Sequence, residues 1–139
     1  MQRSIDLPQP KFEFLFRLSL SNSDPVLFGS TSDADEYYIP YESGQFSGPK
    51  YKGTLQKCGG DWISKRTDGV EMIDGKYVLR CEDKTLIGLS VSGARKDGEY
   101  MLRVFLDAGK NASELNSVVA LGRAVKNDRD VSIDVFILK

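Results

Sequence analysis

Histidine is absent from the 139-residue chain, and this excludes more chemistry than any residue present supplies. Without imidazole there is no common general base, no usual proton shuttle and no histidine metal ligand. Ser-His-Asp and Cys-His catalysis are ruled out. Cysteine is scarce: Cys58 and Cys81 alone cannot complete a structural zinc site. They would bridge only if they faced each other on neighbouring strands; two buried free thiols in a reducing compartment are the expectation.

An excess of charge is also missing. Lys and Arg number 19 against 20 Asp and Glu, a formal charge of −1. No basic surplus exists to neutralise phosphates, so a nucleic-acid partner is not expected. No apolar run approaches the about 18 residues of a membrane helix, so no membrane partner is expected. Met1 to Pro10 carries no apolar stretch of signal-peptide length, and the expected location is the cytoplasm. The acidic pairs Asp33/Asp35 and Glu82/Asp83 lack metal-loop spacing, and no phosphate-loop or dinucleotide fingerprint occurs. No metal and no cofactor are assigned. Asn111-Ala112-Ser113 matches a glycosylation acceptor by chance, given no secretory signal.

What the chain does have is alternation. In Lys11–Leu20, Phe12, Phe14, Phe16, Leu18 and Leu20 recur every second residue, predicting a strand with these five on one face. Pro25–Gly29 is a short apolar run, and Tyr37–Ile39 is an extended piece stopped by Pro40. Gly44, Gly48 and Gly53 punctuate β-prone residues, as at bulges and barrel corners. Gly59-Gly60 reads as a turn and Thr67-Asp68-Gly69 as a hairpin. Val70–Cys81, Leu86–Val91, Tyr100–Leu106 and Asp130–Leu138 read as strands. Ala112–Val125 opens as a helical turn or an extended piece, and its β-branched second half favours a strand. Eight or nine strands at this spacing predict an all-β, single antiparallel β-barrel of about eight strands over residues 11–139, after an N-terminal extension, 1–10.

Several motifs occur in a familiar order: Pro10-Lys11-Phe12-Glu13-Phe14, Ile39-Pro40, Gly44-Gln45-Phe46-Ser47-Gly48-Pro49, Gly59-Gly60-Asp61-Trp62, Asp68-Gly69, Asp74-Gly75-Lys76-Tyr77 and Leu115-Asn116. Across nearly its whole length the chain resembles uncharacterised protein family 0311, the domain of unknown function 3237. That resemblance implies an antiparallel barrel akin to the allene oxide cyclase and dirigent barrels, and no established activity.

Candidate site residues follow from the faces of these strands. Asp74 and Lys76 project to the same side, in a row with Val78 and Arg80, opposite Ile73, Tyr77, Leu79 and Cys81. If that row lines a cavity, the carboxylate and amine shift each other's pKa and serve as acid and base. If the apolar face fills the core, the row is a solvated wall. The expectation is that Asp74 and Lys76 pair in a pocket, with Tyr38, Trp62 and Arg103 nearby. Asp61 either caps a turn or holds a polar ligand group, and Trp62 either packs or floors a pocket. Tyr37, Tyr38 and Tyr41 crowd around Pro40, as a plug or as hydroxyl donors at a barrel mouth. Arg103 either faces solvent or anchors a carboxylate.

The expected function is binding of a small, partly apolar organic molecule in the barrel. The alternatives are a cofactor-independent isomerase or cyclase, and a structural barrel with a filled core. The terminal strand alternates Val131, Ile133, Val135 and Ile137 with Ser132, Asp134, Phe136 and Leu138. Two apolar faces near its end call for a covering, which a homodimer would supply.

Overall fold

A computed structural model describes residues 6–139; residues 1–5 of the expected N-terminal extension lie outside the described residues. Nine strands follow in order: β1 (Phe12–Asn22), β2 (Val26–Ser30), β3 (Ala34–Ser47), β4 (Lys52–Arg66), β5 (Glu71–Cys81), β6 (Leu86–Arg95), β7 (Glu99–Ala108), β8 (Ala120–Asn127) and β9 (Asp130–Leu138). All adjacent pairs are antiparallel. β1 pairs with β9 on one edge and β3 on the other, which closes an eight-stranded barrel. β2 pairs only with the first half of β3 and stands outside the closed wall. Closure removes the free edges that an open sheet of this length would expose.

Strict alternation fills the interior. Leu18 and Leu20 of β1, Ile73, Tyr77 and Leu79 of β5, and Val131, Ile133, Val135 and Ile137 of β9 are all buried. The Leu-Asn segment expected to open as a helical turn forms a 3-10 helix (Lys110–Ser117) that buries Ala112 and Leu115 under one barrel end. Asn116 fixes it by exchanging two hydrogen bonds with the backbone of Ala108. The hairpin at Thr67-Asp68-Gly69 is present, with Gly69 at φ +87°. No helix among the described residues is long and apolar enough to cross a membrane.

Four local expectations are corrected. Phe12 and Phe14 do not share a face with Phe16, Leu18 and Leu20: a bulge between Phe14 and Phe16 resets the alternation, burying Leu15 and exposing Phe12 and Phe14. Pro40 does not stop a strand. It sits where β3 changes partners, facing Gly60 of β4 just before Tyr41 takes Asn22 of β1, so its missing amide donor is tolerated. Gly59-Gly60 is not a chain reversal but a bulge inside β4; Gly59 holds φ +94°, and a side chain there would overlap the carbonyl of Lys76. Cys81 is buried, but Cys58 is exposed because it lies on that bulge; both are free.

Candidate functional site

The bulge in β4 marks the place where the barrel wall is least regular. The β3–β4 ladder runs from Ala34↔Arg66 to Pro40↔Gly60 and resumes only at Gln45↔Thr54. On its other edge, β4 leaves β5 after Leu55↔Leu79 and rejoins at Gly59↔Tyr77. Gln56, Lys57 and Cys58 therefore have ladder partners on neither side. Backbone with few cooperative hydrogen bonds opens at lower free energy than the rest of a sheet.

Directly beside this segment lies a polar cluster in an otherwise apolar interior. Asp61, on β4, is only 4% exposed. The Tyr41 hydroxyl donates to its Oδ2 at 2.5 Å, and the Tyr77 hydroxyl donates to its Oδ1. The two tyrosine rings meet edge to face, with centroids 5.2 Å apart. Gly75, the cross-strand partner of Asp61, makes the space: a Cβ there would overlap the Asp61 carboxylate and the Tyr77 hydroxyl.

A second buried layer continues the cluster. Arg95, at the end of β6, donates through Nε to Glu71 at 3.1 Å and through Nη1 to the Tyr100 hydroxyl at 3.3 Å. Its guanidinium also lies over the Tyr100 ring, 5.1 Å from the centroid. Half-buried Lys126 of β8 completes the group.

Burial dominates the electrostatics. It pushes the Asp61 carboxyl above its ordinary value, although the two tyrosine hydroxyls and the charges of Arg95 and Lys126 pull the other way. Burial, then the neighbouring negative Asp61, raises both Tyr41 and Tyr77, so both stay protonated and act as donors. Burial and the charge of Arg95 lower Lys126. Desolvation works against Arg95, yet Glu71 and Tyr100 outweigh it and hold it charged. A carboxylate shifted upward by burial is a stronger proton acceptor than one in water, and when protonated it becomes a donor.

The residues singled out from sequence fall in two places. Asp61 is inside. Tyr38, Trp62, Asp74 and Arg103 form one cross-strand row on the outside of the barrel, in the register Tyr38↔Trp62↔Asp74↔Ser92↔Arg103. Lys76 lies two residues from Asp74 on the same outer wall, and neither makes an ion pair among the described residues. The expectation that Asp74 and Lys76 pair in a pocket is therefore corrected: Ile73, Gly75, Tyr77 and Leu79 take the inner face of β5, so alternation sends both charges to solvent. Trp62 is 53% exposed and stacks on Tyr38, with centroids 4.4 Å apart, and against Phe28. Arg103 is exposed on the outer wall of β7.

A profile of the family described as "Protein of unknown function (DUF3237)" matches residues 10–138. The chain belongs to this family. No curated protein matches the DUF3237 chain. Solved structures share its barrel. A protein of unknown function from Clostridium acetobutylicum ATCC 824 superposes with a TM-score of 0.90 at 18% identity, covering 94% of this chain and 100% of its own. A β-barrel-like protein from Acinetobacter baumannii AYE gives 0.88 at 27% identity, covering 98% and 100%. An enzyme from Penicillium herquei gives 0.83 at 19% identity, covering 99% and 100%.

Tyr41, Tyr77, Glu71, Arg95, Tyr100 and Lys126 are the members of this DUF3237 site that sequence reasoning does not assemble. Tyr41 is visible in the tyrosine cluster, and Tyr77 on the inner face of β5. The signal for the rest is Arg95 itself, a charged residue two positions after Gly93 on the inward register of β6.

Proposed function

We propose that the barrel is a binding site for a small, partly apolar organic molecule whose polar end reaches Asp61. The observation that supports this most is the buried Asp61 carboxylate held between two tyrosine hydroxyls. A barrel needing only a filled core has no use for it: an apolar side chain of similar volume would avoid the desolvation cost of a buried charge. Strongly perturbed titratable groups concentrate at functional sites. The interior is closed around Asp61, so a ligand would arrive through the unpaired Gln56–Cys58 segment, next to Tyr41 and Tyr77.

A second reading is a cofactor-independent isomerase or cyclase. What favours it is the upward shift of Asp61, which suits a proton acceptor, together with neighbouring phenolic donors for a developing oxyanion. The neighbour from Penicillium herquei is described as an enzyme; that description belongs to that protein, and at 19% identity it supports the fold more than the chemistry.

The test is a thermal-shift screen of small organic fragments on the wild-type protein and on Asp61→Asn. The reading expects fragments that raise the wild-type melting temperature and lose their effect in the variant. Fragments that stabilise both proteins equally would contradict it. Turnover of a fragment bound in this way separates enzyme from binding protein.

A two-fold dimer is part of the same proposal. Phe12 and Phe14 of β1, Phe136 and Leu138 of β9, Val119 and Leu121 before and on β8, and Phe105 of β7 adjoin one another on the outer wall. Their exposed apolar area is on the order of 500 Å², near the upper limit for a monomer's largest patch. With a charged rim such as Arg103, the exposed cross-strand partner of Leu121, the face approaches the roughly 800 Å² per partner of a standard interface.

A further inference from the structure

We propose that Asn22 is a second contact for the same ligand and that the group it receives is a neutral hydroxyl; this rests on the small-molecule reading above. Asn22 ends β1 at 5% exposure, in the inward register that follows Leu18 and Leu20. Its backbone is fixed. The Asn22 amide donates to the carbonyl of Arg129 at 2.9 Å, and the next amide, of Ser23, donates to Pro40 at 2.8 Å. Its side chain is not: Oδ1 is buried and has no hydrogen-bond partner among the described residues. Buried acceptors are nearly always satisfied, and an orphan demands a reason.

Position supplies the reason. The cross-strand partner of Asn22 is Tyr41, the residue that donates to Asp61. The orphan carbonyl therefore belongs to the same end of the barrel as the polar cluster. What the orphan carbonyl lacks is a donor. The protons of Tyr41 and Tyr77 are already committed to Asp61, while Asn22 Oδ1 and the remaining lone pairs of the carboxylate are open. A ligand group that satisfies them must donate.

Charge then narrows the class. A carboxylate would meet the negative Asp61 and, having no proton to give, would leave Asn22 Oδ1 unsatisfied. An ammonium would meet the positive charges of Arg95 and Lys126, which already act on Asp61. An ether accepts but cannot donate. A hydroxyl donates, carries no charge and tolerates the apolar wall around it.

Four matched probes test this whatever the natural ligand is: benzyl alcohol, benzyl methyl ether, benzylamine and benzoate, each titrated into the isotope-labelled full chain and followed by amide resonances. Benzyl alcohol is expected to shift the resonances of Asn22, Tyr41, Asp61 and Tyr77 at millimolar concentration, and the other three to bind at least fivefold more weakly. Asn22→Leu is expected to weaken benzyl alcohol at least fivefold and to bring the alcohol-to-ether ratio close to one. The wild-type series alone overturns the proposal if benzoate, benzylamine or the ether binds as tightly as the alcohol. It is also overturned if Asn22→Leu keeps the alcohol affinity while Asp61→Asn loses it, an outcome that leaves the binding site itself standing. If no probe moves any of these resonances, the small-molecule reading fails and the Asn22 proposal with it.

Discussion

The Tyr41 hydroxyl and the Asp61 carboxylate meet at 2.5 Å inside the barrel, where the first half of the β3–β4 ladder ends: Asp61 is still paired with Ile39, and Tyr41 is the first residue of β3 past the last pair, Pro40↔Gly60. The contact thus ties the residue at which β3 leaves β4 back to the paired stretch of β4. Tyr77 approaches the same carboxylate from β5, so three strands converge on one charge. Arg95 and Lys126 balance that charge from a distance without removing the cost of burying it.

Gly75 is the residue that most directly permits the cluster. A Cβ at this position would overlap both the Asp61 carboxylate and the Tyr77 hydroxyl, two buried groups already hydrogen-bonded to each other. Gly75→Ala is expected to cost about 1–3 kcal/mol, the usual range for overpacking a core. Equilibrium urea unfolding measures it; a loss below about 0.5 kcal/mol would mean that the two side chains reorient freely.

The outer-wall pair behaves differently. Asp74→Ala and Lys76→Ala remove solvated charges that make no ion pair among the described residues. Each is expected to change stability by less than about 0.5 kcal/mol. A loss of about 3 kcal/mol or more in either variant, the signature of a broken buried pair, would contradict this placement.

Assembly is testable through Phe105, which is 66% exposed at the edge of the apolar patch. Light scattering is expected to give twice the chain mass at high micromolar concentration for the wild type, and the monomer mass for Phe105→Asp. A wild-type monomer, or a Phe105→Asp dimer, would refute this face as the interface.

Much of this architecture is legible in the sequence because a strand's period of two needs no distant information. β5 and β9 are readable face by face, and Phe136 and Leu138 stand out as apolar residues on the wrong side. Where alternation misleads, a bulge has intervened. One inserted residue near Leu15 turns Phe12 and Phe14 outward, and the three at Gln56–Cys58 make a glycine pair look like a turn. Bulges depend on how the partner strand pairs, which local sequence does not encode. The same limit hides the site. Asp61 is conspicuous beside Trp62, but alternation puts the two on opposite faces, and the partners of Asp61 lie 20 and 16 residues away on other strands.

The proposed reading assigns Asp61 to ligand binding and not to stability, and urea unfolding of Asp61→Asn against wild type tests this most directly. Asp61 has a folded pKa raised above the ordinary 3.8. Its protonated form is the better accommodated one, so its favourable contribution is present below about pH 3.8 and is lost as pH rises through the raised value. Asp134, held low by its hydrogen bond with Arg17, acts in the opposite sense, but identically in both proteins. Asp61→Asn removes the titration of Asp61 itself, together with its upward pull on Tyr41, Tyr77 and Lys126. The variant is expected to match or exceed the wild type at pH 8, by up to about 2 kcal/mol, and the two to converge as pH falls toward about 4. If Asp61→Asn is instead less stable at pH 8 by about 3 kcal/mol or more, the carboxylate is a structural keystone and its assignment to function is wrong.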